Sequence, residues 1–450
     1  MNKKASENSP SDLVSEDLRC VWHPYTQMLT APPPIPVERA EGVYLYKADG
    51  KRILDGISSW WVNIHGHNHP RLNKALAEQA SKFSHVMFGG FTHRPAVQLA
   101  AELIDRSPSN LARVFFSDNG STAIEIALKM SFHYWRNRGE PERDLFLALE
   151  HAYHGDTFGA MSVGGVKAFH SNYDRLLFEV RRAHTPYCFS CPVGQVRNRC
   201  RIECAQQLEQ ILEEEGTRLA AVILEPMVQG AGGMIVWPPE FLLRVREATR
   251  RHSIPLIADE IFTGFGRTGK MFACEHGPIE PDILCLSKAL TGGYLPLAAT
   301  ITSDEIYRTF LSPQRDRTFF HGHSYTGNAL ACAVALESLA LFDDENRLRR
   351  VGELECLFRE RLQRLRGLPE VGDVRGIGAL AVVELVPEKK AGYLDERGPR
   401  LAESFLARGL LLRPLGNVLY FLPPYVITDE QAHWAFDVIE EVIGGTGTES

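Results

Sequence analysis

An α/β fold with a mostly parallel sheet is predicted by three features of this chain. Short apolar runs recur along it: Val114-Phe115-Phe116, Leu145–Leu149, Leu219–Leu224, Pro255-Leu256-Ile257-Ala258 and Ile283–Leu286. Each has the length of a buried strand. Helical periodicity intervenes, as where Ile124, Ala127, Leu128, Ser131 and Trp135 fall on one stripe. Several runs also deliver a charged residue just beyond their ends, at Glu150, Glu225, Asp259 and Lys288. Alternating units of this kind place functional groups at the carboxyl ends of parallel strands.

Length and composition bound the rest. At 450 residues the chain is long enough for two domains. Charged residues make up 23% and apolar ones 44%, and the net charge is only −7, so neither nucleic acid nor a membrane surface is indicated. The stretch from Met1 to Leu18 is polar and lacks an apolar export segment. Nine cysteines, an odd number without export, favour reduced thiols and a cytoplasmic protein.

In chain order, Gly42 to Tyr46 and the turn Asp49-Gly50-Lys51 read as a hairpin. In Ser58-Ser59-Trp60-Trp61 the two tryptophans point to opposite sides if the stretch is extended, so at most one of them need be core. His65, His67 and His69 read as polar packing, with no acid close in sequence to complete a metal site. The turn Ser117 to Thr122 and the helix after it carry ordinary start signals, a Ser or Asn cap and Glu125 in the first turn. The same arrangement suits a phosphate dianion: Gly120 permits close approach, and Ser121 and the free helix amides can bind it. Past Leu149, Tyr153 in Tyr153-His154-Gly155 is placed to stack on a planar group.

The densest chemistry lies in Pro255 to Gly293. Asp259 and Glu260 close one apolar run, glycines 264, 266 and 269 make a turn, and Ser287-Lys288 closes the next run before Gly292-Gly293. A lysine at the end of a core strand is partly desolvated, which lowers its pKa and favours the free amine. A cofactor that acts as an electron sink needs such a lysine for its aldehyde and a carboxylate for its ring nitrogen. The glycine turn also fits a dinucleotide motif and part of a P-loop. However, Met271 stands where a P-loop needs Ser or Thr, and no amphipathic helix follows. Beyond it an alanine-rich helix runs through Phe342. A helix from Val351, a strand Leu380 to Leu385, a helix from Pro399 to Arg408 and a strand from Val418 to Pro424 are expected after that.

The Asp-Glu pair, the Gly-Phe-Gly-Arg-Thr-Gly turn and the Ser-Lys before Gly-Gly together resemble the signature of class III aminotransferases. The resemblance spans roughly Val21 to Ile443 and implies pyridoxal 5'-phosphate as cofactor and the dimeric fold type I. That fold has a large domain with a seven-stranded sheet and a smaller α+β domain built from both termini, here 1–65 with 336–450 around 66–335. Trp22-His23-Pro24-Tyr25-Thr26, Ser58-Ser59-Trp60-Trp61 and Val86-Met87-Phe88-Gly89-Gly90 look like the branch of the family that makes 7,8-diaminononanoate for biotin. Its acceptor is 8-amino-7-oxononanoate, and its donor is usually S-adenosylmethionine, with lysine the alternative. By this resemblance Lys288 anchors the cofactor aldehyde and then moves the proton. Asp259 pairs with the ring nitrogen, Tyr153 stacks on the ring, and Gly120, Ser121, His323 and Ser324 belong to the cofactor site, Ser324 reaching the phosphate of the neighbouring subunit. Tyr25, Trp60 and Gly322 line the substrate site, Arg413 grips the acceptor carboxylate and Arg267 contacts the donor. Cys188, Cys191, Cys200 and Cys204 form a C-x2-C-x8-C-x3-C array with the spacing of a zinc site. The first pair resembles a Cys-Pro loop of the family that holds no metal, and none is expected here.

Overall fold

Seven strands form the central sheet, in the order Leu111–Ser117, Ala298–Ser303, Ile283–Leu286, Leu256–Asp259, Leu219–Leu224, Leu145–Leu149, Val180–Ala183. They come from a computed structural model that describes residues 10–387 and 392–445; the first nine residues of the polar N-terminal stretch lie outside it. Four neighbouring pairs run parallel, and Ala298–Ser303 runs antiparallel to both of its partners. The expected sheet is therefore mostly parallel, with one reversed strand.

Its apolar runs are continuous because both faces are covered. Side chains alternate between two cores: Leu145, Leu147 and Leu149 enter one, and Phe146 and Ala148 the other. The helix Gly120–Arg138 covers the second face, where Ile124, Ala127 and Leu128 pack, and Trp135 Nε1 donates to Ala220 O at 2.8 Å. Pro239–Arg251 serves the first face with Phe241, Leu242 and Val245.

The two ends of the chain meet in a smaller sheet. Leu410–Leu411 pairs parallel with Arg52–Asp55, which continues antiparallel through Tyr44–Tyr46 to Arg39–Glu41. Val371–Ile377, Leu380–Leu385 and Val418–Phe421 form a second small antiparallel sheet. The last strand stops short of its expected end because Leu422 N–H donates to Gly56 O at 2.7 Å. The helix expected from Val351 begins at Arg347, after Asn346 at φ 49°. The helix expected from Pro399 begins at Arg397, so the proline falls in its first turn, where no amide is needed.

Ser58–Trp61 is not extended but a single left-handed turn, with φ of 50, 46, 69 and 76°. Four consecutive non-glycine residues there are sterically costly. The turn is held by Ser58 Oγ donating to Leu422 O at 2.7 Å and Ser59 Oγ donating to Asp55 at 2.7 Å; Trp61 Nε1 donates to Tyr420 Oη at 3.1 Å. Asp55 also meets His67 Nε2 at 2.9 Å, His65 Nε2 meets Ser338 Oγ at 3.0 Å, and His69 Nδ1 accepts from Arg71 N–H at 3.3 Å, so all three histidines have packing partners. Among the described residues no helix is long and apolar enough to cross a membrane.

Candidate active site

A cavity of about 660 Å³ opens beyond the carboxyl ends of Leu256–Asp259 and Ile283–Leu286. Gly120, Ser121, Tyr153, Asp259 and Lys288 all line it, so five residues chosen from sequence share one space.

Lys288 follows its strand by two residues and takes φ 44°, a left-handed conformation uncommon for a residue with a Cβ. Its Nζ lies 4.7 Å from the Trp61 ring centre and 5.7 Å from that of Phe262. Burial brings its pKa down to about 8, against the opposing pull of Asp259 and Glu225. Asp259 is buried; Oδ1 accepts from Ile261 N–H at 3.1 Å, and Oδ2 lies 2.7 Å from His154 Nδ1. His154 is also buried, and its Nε2 has no partner among the described residues.

Two further carboxyls support the site. Glu225 accepts from Tyr153 N–H and Gly230 N–H, each at 2.9 Å, and burial pushes it up to about 7. Glu260 accepts from Thr263 Oγ1, Ala273 N–H and Cys274 N–H at 2.7–2.8 Å, which ties down the glycine turn. Burial pushes Glu260 up to about 7 as well. At the helix start, Asn119 Oδ1 accepts from Thr122 N–H at 3.1 Å. The amides of Gly120 and Ser121 are first-turn groups without an intrahelical acceptor, and both residues line the cavity.

Beside Tyr153 stands a second cluster. Tyr25 Oη donates to Asp156 at 2.6 Å and lies 3.3 Å from Tyr153 Oη. The Tyr25 and Trp60 ring centres are 5.8 Å apart, and the Arg413 guanidinium lies 4.5 Å over Trp60. Arg413 Nη2 also donates to Tyr25 O at 3.4 Å. Tyr25, Trp60 and Arg413 thus form one wall that meets the cavity through Tyr25, while Trp60 and Arg413 line a separate cavity of about 290 Å³ with His23, Pro24 and Thr26.

Other expected residues sit elsewhere. Arg267 does not line the cavity: it is buried, donates from Nη1 to Pro423 O at 3.2 Å and lies 4.8 Å from the Tyr425 ring centre. Its Nη2 has no partner among the described residues. Gly322 and Ser324 are exposed and outside the cavity of their own chain, while His323 reaches only the rim, 3.8 Å from Asp118. Sequence reasoning gave Trp60 a role and missed Trp61, the one next to Lys288, because an extended reading could not tell which tryptophan was core. It also passed over His154, whose only signal was its position beside Tyr153. The cysteines at 188, 191, 200 and 204 are free thiols around a cavity of about 20 Å³. Among the described residues no group of three or more metal-binding side chains could hold an ion.

The residues present fit pyridoxal phosphate. A Cβ on Gly155 would stand 2.3 Å from Ser121 Oγ, so that glycine is what lets the 153–157 segment lie against the helix start. The cavity is thus lined by a helix start with free first-turn amides, the Tyr153 ring, a buried carboxylate and an amine.

Residues 25–443 match the family model for aminotransferase class-III. The chain is 45% identical to the adenosylmethionine-8-amino-7-oxononanoate aminotransferase of Geobacter sulfurreducens, over 95% of this chain and 96% of that protein. It is 43% identical to the enzyme of that name from Aquifex aeolicus, over 97% and 98%. The crystal structure of the Methanocaldococcus jannaschii protein of the same name superposes with a TM-score of 0.90 at 39% identity, covering 96% of this chain and 98% of that one.

Proposed function

The chain belongs to the class-III aminotransferases, and from that premise we propose that it transfers an amino group to 8-amino-7-oxononanoate, giving 7,8-diaminononanoate for biotin. S-adenosylmethionine is the donor, by kinship with relatives that carry it in their names. The observation that carries the reading is the juxtaposition of Lys288 and Asp259 in one cavity with the Tyr25–Trp60–Arg413 wall beside it.

When bound, pyridoxal phosphate supplies an aldehyde for the amino group and a ring that takes up the substrate's electron pair. The amides of Gly120 and Ser121 would hold its phosphate and Tyr153 would lie against its ring. Asp259 would keep the ring nitrogen protonated, and the His154 and Ile261 contacts fix the plane of that carboxylate. Lys288 would supply the amine for the aldehyde, and its Nζ would move the proton at the substrate carbon. Trp61 and Phe262 shield that nitrogen from water. Arg413 suits the acceptor's carboxylate, with Trp60 and Tyr25 along an aliphatic chain.

The reading includes a cytoplasmic homodimer in which Ser324 of one copy completes the phosphate site of the other. The loop that bears it supports this, because Phe320 and Tyr325 are 71% and 65% exposed and His85 packs on Tyr325. The test is to add adenosylmethionine or lysine to the loaded protein and follow conversion of the cofactor to its amine form by absorbance. Conversion by adenosylmethionine, and its return on adding 8-amino-7-oxononanoate, is expected. Conversion by lysine alone would change the donor, and no return with that acceptor would overturn the reading.

A further inference from the structure

We propose that Glu125 is a positioning residue for the phosphate cup, holding Thr157 and through it Ser121. The proposal rests on the cup reading given above and concerns a residue that binds nothing itself.

Ser121 and Glu125 are four apart on the helix Gly120–Arg138, so they lie one above the other on one face. That face carries the segment after Tyr153. Glu125 Oε1 accepts from Thr157 Oγ1 at 2.5 Å, Gly159 N–H at 2.7 Å and Ala160 N–H at 3.1 Å. Thr157 in turn donates its amide to Ser121 Oγ at 3.0 Å, and the two hydroxyl oxygens are 2.8 Å apart.

The donors fall in a fixed order. A carboxylate has no proton to give, so the Thr157 hydroxyl hydrogen goes to Glu125. Ser121 Oγ already accepts the Thr157 amide, and its own hydrogen is the one left to give. Here it is placed to meet Thr157 Oγ1; with an anion in the cup it is free to turn to that anion. Without Glu125 the Thr157 hydroxyl loses its acceptor and competes for Ser121, and two backbone amides lose theirs.

Sterics point the same way. A Cβ on Gly159 would stand 2.2 Å from Glu125 Oε2, just as one on Gly155 would stand 2.3 Å from Ser121 Oγ. Two glycines four residues apart therefore seat the segment on the two polar side chains that are four residues apart on the helix. That segment also carries Tyr153 and Asp156, so its seating bears on the ring face as well as the cup.

Equilibrium binding of pyridoxal phosphate and of pyridoxal, which lacks the phosphate, to apoprotein separates this role from simple helix capping. Glu125→Ala should weaken pyridoxal phosphate by about 10- to 100-fold, the loss of a charge-assisted hydrogen bond, and pyridoxal by less than about threefold. Glu125→Gln, which keeps an acceptor oxygen, should stay within about threefold for both. Thr157→Val keeps the two amide contacts of Glu125 and should also narrow the preference for the phosphorylated form. The double variant Glu125→Ala/Thr157→Val should be no worse than the more affected single one. An unchanged preference in Glu125→Ala, even with a lowered Tm, would mean that Glu125 only caps Phe158–Ser162. If Glu125→Ala does not fold, an unchanged preference in Thr157→Val overturns the proposal instead. Wild-type protein with no preference for the phosphorylated form would overturn the cup itself.

Discussion

His154 Nδ1 and Asp259 Oδ2 lie 2.7 Å apart with both side chains buried, and the other Asp259 oxygen accepts the Ile261 amide. The carboxylate is thereby held on two sides, and the cavity is the remaining direction in which it acts. Asp259→Asn should still load pyridoxal phosphate but react with donor about 100-fold or more slowly, because a neutral amide does not keep the ring nitrogen charged. Single-turnover absorbance measures this; a wild-type rate would take Asp259 out of its role.

Lys288→Ala should keep the fold and lose turnover by about 10²–10⁴-fold or more, since it removes the proton-transfer group along with the anchor. Wild-type protein carries a pH signature of the same amine. Its pKa is lowered to about 8, so the free amine dominates above that value and the ammonium below it. Reloading of apoprotein with pyridoxal phosphate should speed up with pH until about 8 and then level off. A rate still climbing towards 10, where an ordinary lysine titrates, would contradict the burial argument.

Arg413→Ala should reduce kcat/KM for the acceptor by roughly two orders of magnitude, about 2–4 kcal/mol, and change the donor half-reaction much less. Its guanidinium is set over Trp60 and bonded to the Tyr25 carbonyl, two contacts that aim it and leave donors free for a carboxylate. Equal losses in both half-reactions would make it a support for the whole site.

Glu225 offers a stability test. Its folded pKa, about 7, lies above the unfolded value of about 4.3, so the folded state binds the extra proton between them. That contribution is complete below the unfolded pKa and is lost as pH rises through 7. Glu225→Gln has no such proton. The stability of wild-type apoprotein relative to the variant should therefore be about 1–3 kcal/mol more favourable at pH 5.5 than at pH 8. Thermal unfolding of both at each pH measures it, and a constant difference would place the Glu225 titration elsewhere.

What the sequence made legible is what local rules govern. Apolar runs of strand length found five of the seven central strands but not Val180–Ala183, which carries two arginines, or Ala298–Ser303, and Asp259 and Lys288 could be picked out because charge at the end of such a run is unusual. What it hid depends on distant partners. No local pattern announces a left-handed turn at Ser58–Trp61, because two of its stabilising partners, Tyr420 and Leu422, lie at the far end of the chain. Arg267 looked available for a ligand in the glycine turn, yet it is buried against Tyr425 and Pro423. Ser324 was placed by family likeness on a neighbouring chain, and in its own chain it stands clear of the cavity.

The turn at Ser58–Trp61 also bears on the order in which a ribosome can build this enzyme. The residues that brace it, Tyr420 and Leu422, leave the ribosome after almost everything else. Until then the early segment has little to offset four unfavourable backbone angles, and Trp61 cannot settle beside Lys288. A nascent chain can complete its central sheet well before that point and still have no wall on one side of its lysine. Chains cut short before Tyr420 should therefore be folded in their middle and unfinished where the chemistry happens.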